Sequence, residues 1–165
     1  MTLHLRLRRL PSAESPEPLP LPTRATAGAS GFDLQAALRA PLAIAPGARV
    51  LVPTGFAYEI PPQWEAQVRA RSGLAWRQGL TVLNGPGTID ADFRGEVQVL
   101  LVNLGDAEVT LRRGDRLAQL VLCPVPAVVL EEVETLSETG RGDGGFGHTG
   151  LGALDGGGGP RGPVG

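Results

Sequence analysis

The sequence predicts an all-β sandwich or barrel. Three observations carry that expectation: short apolar runs recur at regular spacing, turn-forming tetrapeptides separate them, and a single segment has a helical pattern. The first run, LHLRLRR, alternates Leu3, Leu5 and Leu7 with His4, Arg6 and Arg8, the period of a half-buried strand. Residues 11–22, PSAESPEPLPLP, are expected to cross the surface as an extended loop, because proline lacks the N–H that a helix or central strand needs. Further strands are expected at Arg49–Pro53, Phe56–Ile60, Glu65–Arg71, Leu80–Leu83, Val97–Asn103, Glu108–Leu111, Leu117–Cys123 and Ala127–Val133. APGA at 45–48, LGDA at 104–107 and RRGD at 112–115 supply turns between them. The one helical segment is SGLAWRQG, with Ser72 as its N-cap and Gly79 as its stop. From Gly140 onward glycine dominates, and GGGGPRGPVG at the end has too little apolar surface to offset the entropy of ordering, so a mobile tail is expected.

A chain of 165 residues fits one domain. Folding at that length removes roughly 68 to 70% of the unfolded surface from water, so no disulfide or metal scaffold is required. The single cysteine, Cys123, cannot form an internal bridge, and two histidines, His4 and His148, cannot build a zinc-type cluster. The expectation is a reduced, cytoplasmic protein. A net charge of −2 argues against a general nucleic-acid or membrane surface, and no apolar run is long enough to span a bilayer. An N-terminal transit peptide is disfavoured, because the opening is short and no apolar h-region follows it. All 15 basic residues are arginine. Without lysine there is neither a Schiff base nor a Walker-type phosphate loop, although codon bias alone would also produce the gap. The arginine fork still matches phosphate oxygens, so anionic substrates stay open.

TIDADFRGE, Thr88–Glu96, concentrates charge in an apolar region. In an extended backbone Asp90, Asp92 and Arg94 share one face, which is either solvated or chemical. Ser72 opens the short helix, where free N–H groups favour an anion, although a serine N-cap beside a surface arginine is a common structural feature. In RGDGGFGHTG one aromatic, Phe146, stands alone among glycines, as in a segment that orders when a ligand binds.

Five stretches taken together, AGASGFDLQAA (27–37), RARSGLAWRQG (69–79), NGPGTIDADFRGE (84–96), RRGDRLAQLVL (112–122) and RGDGGFGHTG (141–150), resemble in order and spacing the five motifs of the trimeric dUTP pyrophosphatases (dUTPases). The resemblance covers Leu3 to Gly150. It implies a jelly-roll-like β fold over residues 1–138, an active-site lid at 139–150, and a disordered tail at 151–165. It also implies a homotrimer whose active sites are each shared between subunits, with dUTP as substrate and Mg2+ as cofactor. The reaction would yield dUMP and pyrophosphate, supplying a thymidylate precursor and keeping uracil out of DNA.

The resemblance also implies roles. Asp90 would orient and deprotonate the water that attacks the α-phosphorus. Asn84 and the backbone of Gly87, Thr88, Ile89 and Asp90 would read uracil and leave no room for a 5-methyl group. Phe93, where the family usually has tyrosine, would pack on deoxyribose and exclude a 2′-hydroxyl. Gln98, on the Asp90 face if the strand alternates, would touch substrate from a neighbouring subunit. Arg71, Ser72 and Gly73 would hold phosphate, with Ala70 where proline is frequent. Gln119 would contact phosphate or the attacking water, and Arg116 would form a structural ion pair. Arg141 would grip the γ-phosphate, Phe146 would stack on uracil, and Gly147 and Thr149 would complete the lid. Asp33 would hold magnesium indirectly, through its water shell. No ligand cluster is legible, so the metal would arrive chelated by the triphosphate.

Two alternatives share the scaffold. A dCTP deaminase needs a catalytic glutamate shortly after the hairpin, whereas VQVLLVN has no carboxylate. A non-catalytic nucleotide-sensing module would not require the full set of chemical residues. The Arg-Gly-Asp triplets at 113–115 and 141–143 fall inside two of the five motifs and carry no separate weight.

Overall fold

The computed structural model of the chain describes residues 2–145. It divides into two compact units, Met1–Ala127 and Val128 onward.

The first unit is an all-β, jelly-roll-like fold. In chain order its elements are β1 (Arg6–Arg9), α1 (Pro11–Glu14), β2 (Phe32–Gln35), β3 (Leu42–Ile44), β4 (Arg49–Glu59), β5 (Trp64–Ala70), α2 (Ser72–Gln78), β6 (Leu80–Val82), β7 (Gly87–Ile89), β8 (Glu96–Asn103), β9 (Val109–Leu111) and β10 (Arg116–Pro124). Antiparallel pairing builds one sheet in the order β1-β4-β8-β6, a second in the order β2-β10-β5-β7, and a ribbon of β3 and β9. Inward side chains from both sheets form one apolar cluster, with Val52, Phe56, Val97, Val99 and Leu101 from the first and Leu34, Ala66, Val68, Leu117 and Leu120 from the second. In β8 the burial alternates from Val97 to Leu101 as the pleat requires, with Gln98 facing out. Burial raises the pKa of the Tyr58 phenol, whose hydroxyl has no partner among the described residues.

Several expectations change. Arg49–Pro53 and Phe56–Ile60 are one strand, β4, interrupted by a bulge where its register with β8 shifts between Pro53 and Ala57. Gly55 occupies that bulge at φ +78°, and a Cβ there would come within 2.8 Å of the Ala13 backbone, so glycine is required twice over. The proline-rich stretch is no plain surface loop: it contains α1 and buries Ala13 and Leu19 completely or nearly so. Arg113 holds it down, donating from Nη1 to Ser12 O (2.9 Å) and from Nε to Glu17 O (3.0 Å). The opening strand begins later than the Leu3 alternation suggests, because only Arg6–Arg9 find partners on β4. β2 and β3 were not expected; each is too short to show a period and exists because β10 and β9 supply its ladder.

In the second unit, the described residues carry no strand or helix. The strand expected at Ala127–Val133 is therefore absent, as these residues have no ladder partner among the described residues.

Candidate functional site

The expected site residues gather in two places. The first is where β2, β10 and the end of β5 meet. Register sets Asp33 opposite Gln119 and Gln119 opposite Arg69, which brings Arg71, just past the end of β5, alongside Arg116. Asp33 is 6% exposed, so its carboxylate needs partners, and it has them. Arg116 Nη1 donates to Oδ2 at 3.1 Å, Gln119 Nε2 to Oδ1 at 3.5 Å, and Arg71 Nε lies 3.6 Å from Oδ1. Arg71 Nη1 also donates to the Arg116 carbonyl at 2.9 Å. The arginine fork is thus oriented from two sides, and the ion-pair role expected of Arg116 is present. The Asp33 carboxylate thus stands between two guanidiniums.

Ser72 and Gly73 begin α2 beside this network. The N-cap is Arg71, extended at φ −88° and ψ 122° without a side-chain cap, and Ser72 is the first helical residue, so the helix starts one residue earlier than expected. The Ser72 hydroxyl is therefore not consumed by capping. Gly79 ends the helix in the left-handed conformation, φ 66°, as expected. The Arg77 guanidinium folds over Gly73, where an added Cβ would lie 2.8 Å from Nη2. Arg71, Arg77 and Arg116 border a cleft of about 720 Å3 whose far wall is Asp106–Leu111. The Arg113-Gly114-Asp115 triplet is a turn, in which Asp115 Oδ2 accepts from the Arg112 amide at 2.6 Å and Gly114 takes φ +82°.

The second place is the hairpin. A turn at Leu83–Pro86 leads into β7, the edge strand of its sheet, paired on one side to β5 and with its other backbone edge unpaired among the described residues. The Asn84 amide lies against Gly87, where an added Cβ would meet Nδ2 at 3.1 Å. β7 ends at Ile89 and Asp90 follows it, exposed.

The shared face expected for Asp90, Asp92 and Arg94 does not form. The chain turns at Ala91–Asp92, with the Phe93 amide donating to Asp90 O at 3.2 Å and Arg94 Nη1 to Ala91 O at 2.6 Å. Gly95 admits the Phe93 ring, which would lie 2.6 Å from a Cβ placed there. The alternation used to align Gln98 with Asp90 fails for the same reason: Gln98 sits on β8, in the other sheet.

Within one chain the two places are far apart. Ile89 pairs with Ala66, so Asp90 stands level with Glu65, whereas Arg71 lies beyond the other end of β5. Six residues of strand at about 3.3 Å each make that separation roughly 20 Å. The 720 Å3 cleft does not include Asp90.

Arg141 donates from Nε to Gly144 O at 2.7 Å within a local turn. Phe146, Gly147 and Thr149 lie outside the described residues. The described residues contain no group of three His, Cys, Asp or Glu able to hold a metal, and both Asp33 oxygens already face Arg or Gln donors. A magnesium ion caged by protein does not fit this donor set, whereas one carried by a triphosphate needs no such cage.

Two residues with a part in this arrangement were not singled out from sequence. Gly55 is fixed by a bulge that only tertiary pairing creates. Glu96 was quoted as a member of a charged stretch, but nothing in its neighbours signals that its carboxylate reaches Gly55 and Ser12.

The dUTPase family model matches residues 17–150. A deoxyuridine 5'-triphosphate nucleotidohydrolase of Sinorhizobium medicae (strain WSM419) is 54% identical over 153 residues, covering 92% of this chain and 94% of the relative. One from Aquifex aeolicus (strain VF5) is 60% identical over 124 residues, 75% of this chain and 81% of the relative. Among solved structures, the Staphylococcus bacteriophage 80alpha dUTPase with dUpNHpp superposes with a TM-score of 0.78 at 22% identity, over 91% of this chain and 100% of the other, a likeness of fold. A point mutant of the dUTPase from phage phi11 of S. aureus, described with a structural Mg(II) ion, gives 0.68 at 21% identity over 81% and 98%. With a family model spanning most of its length and relatives this similar over nearly all of it, the chain belongs to the dUTPase family.

Proposed function

We propose that the protein hydrolyses dUTP to dUMP and pyrophosphate, with the triphosphate entering as its magnesium chelate. The observation that carries this reading is the continuity of β7 with Asp90. A free backbone edge, able to pair with a pyrimidine, runs directly into an exposed carboxylate. A base read on that edge holds its α-phosphate at a fixed distance from the carboxylate, so recognition and chemistry share one rigid element.

Asp90 takes a proton from water as the water oxygen bonds to the α-phosphorus; the bond from that phosphorus to the bridging oxygen breaks, and pyrophosphate leaves. Arg71, aimed by Asp33 and the Arg116 carbonyl, and the free Ser72 hydroxyl offset charge on the phosphate oxygens. Gln119 lies beside the same network and contacts phosphate or water. Gln98 reaches substrate from a neighbouring copy. Phe93 shields the sugar. Arg141, Phe146, Gly147 and Thr149 close over the bound nucleotide. The separation of Asp90 from Arg71 supports a site assembled from more than one copy, in a homotrimer, because one triphosphate cannot span both groups of a single chain. Activity of this kind serves dUMP supply and the exclusion of uracil from DNA.

Pyrophosphate release across the common deoxynucleoside triphosphates is the test, with Asp90→Asn as the control. Release from dUTP alone, reduced about 10²-fold or more in the variant, is expected. Ammonia from dCTP would instead support a deaminase, and dUTP binding without turnover a sensing module.

A further inference from the structure

The turn that carries Asp90 crosses from one sheet to the other. At its start it is fastened by the three residues of β7. Inside, its backbone is closed by the Phe93–Asp90 hydrogen bond and by Arg94. At its far end stands Glu96, the first residue of β8, paired with Ala57 across the β4 bulge. A bulge removes a ladder partner from the bulged strand, and here the Glu96 carboxylate replaces it: Oε1 accepts from the Gly55 amide at 2.8 Å and from the Ser12 hydroxyl at 3.1 Å. Ser12 belongs to α1, which Arg113 and the close approach of Ala13 to Gly55 hold against the same bulge.

We propose that Glu96 is a positioning residue for Asp90. By joining α1, the Gly55 bulge and the first residue of β8, it fixes where the Asp90–Gly95 turn ends and therefore the course the chain takes as Asp90 leaves β7. The N-terminal proline-rich segment thus acts on turnover without touching substrate. This rests on the reading of Asp90 as the base that activates water. A carboxylate displaced by about 1 Å can lose up to about 10²-fold in rate while ground-state contacts elsewhere persist.

The experiment compares Glu96→Ala with Glu96→Gln in the full-length protein. Glutamine keeps an oxygen that accepts from Gly55 and Ser12, so it separates the geometry of the anchor from its charge. Glu96→Ala is expected to lower kcat about 10- to 100-fold with KM for dUTP changed by less than about threefold, and Glu96→Gln to keep at least about half of kcat. Equal impairment of the two variants, or a wild-type kcat in folded Glu96→Ala, overturns the proposal. If Glu96→Ala does not fold, Ser12→Ala probes the link from its other side, with kcat lowered and KM unchanged; a wild-type kcat there overturns it. Amide exchange at Phe93 is measured alongside, because it reports the anchoring whatever the substrate proves to be. Faster exchange in Glu96→Ala with no dUTP hydrolysis in the wild type would establish the anchoring and refute the reading of Asp90 instead, and unchanged exchange refutes the proposal itself.

Discussion

Two variants that are each inactive are expected to restore activity when they share an oligomer. Asp90→Asn removes the carboxylate that follows β7, and Ser72→Ala removes a hydroxyl at the start of α2; under the proposed mechanism each is expected to lower kcat by about 10²-fold or more. Asp90 is level with Glu65 and Ser72 lies seven residues further on, roughly 23 Å at about 3.3 Å each. A nucleotide held on the hairpin of one copy must therefore take its phosphate contacts from another. In a trimer that contains both variants, one of the three hairpin–helix pairs joins an intact hairpin to an intact helix, so about one third of the sites recover both groups. Residues of the fifth motif are intact in both parents and do not change the fraction. Co-expression with two tags, purification through both in turn, and a pyrophosphate assay would measure it. Doubly tagged oligomers no more active than the parents would show that base and helix serve the same chain, and the shared-site reading would fail.

UTP is expected to have kcat/KM about 10²-fold below that of dUTP, the discrimination a close apolar wall gives against one added hydroxyl. Under the proposed reading the Phe93 ring supplies that wall, and steady-state kinetics with both nucleotides would refute it if the two rates matched. Asn103→Ala is expected to destabilise the fold. Asn103 is fully buried, donating to Ile44 O (2.9 Å) and Ala107 O (2.8 Å) and accepting from the Gly105 amide (2.9 Å). Leaving such groups without partners costs about 2 to 4 kcal/mol in total. Urea unfolding checks this, and a loss below about 0.5 kcal/mol at unchanged slope would contradict it.

The amino-acid sequence alone determined the all-β class, because the period of two in β8 and the turn residues between strands are local properties of the chain. It also carried the family, through residue types at set spacing. What it could not carry depends on pairing between distant segments. Whether Asp90 and Asp92 share a face depended on where β7 stops, which is at Ile89 although β5 runs on to Trp64. Gln98 followed Asp90 closely in the chain yet belongs to the opposite sheet. The motif that contains Asp33 shows nothing of its protein partners, Arg71, Arg116 and Gln119, which register with β10 brings to it. Glu96 found its partners 41 and 84 residues away, at a bulge that no local pattern announces. Local periodicity specifies which elements form; which side chains meet is set by ladder register, where a shift of one residue turns every side chain to the other face, and only the folded chain fixes that register.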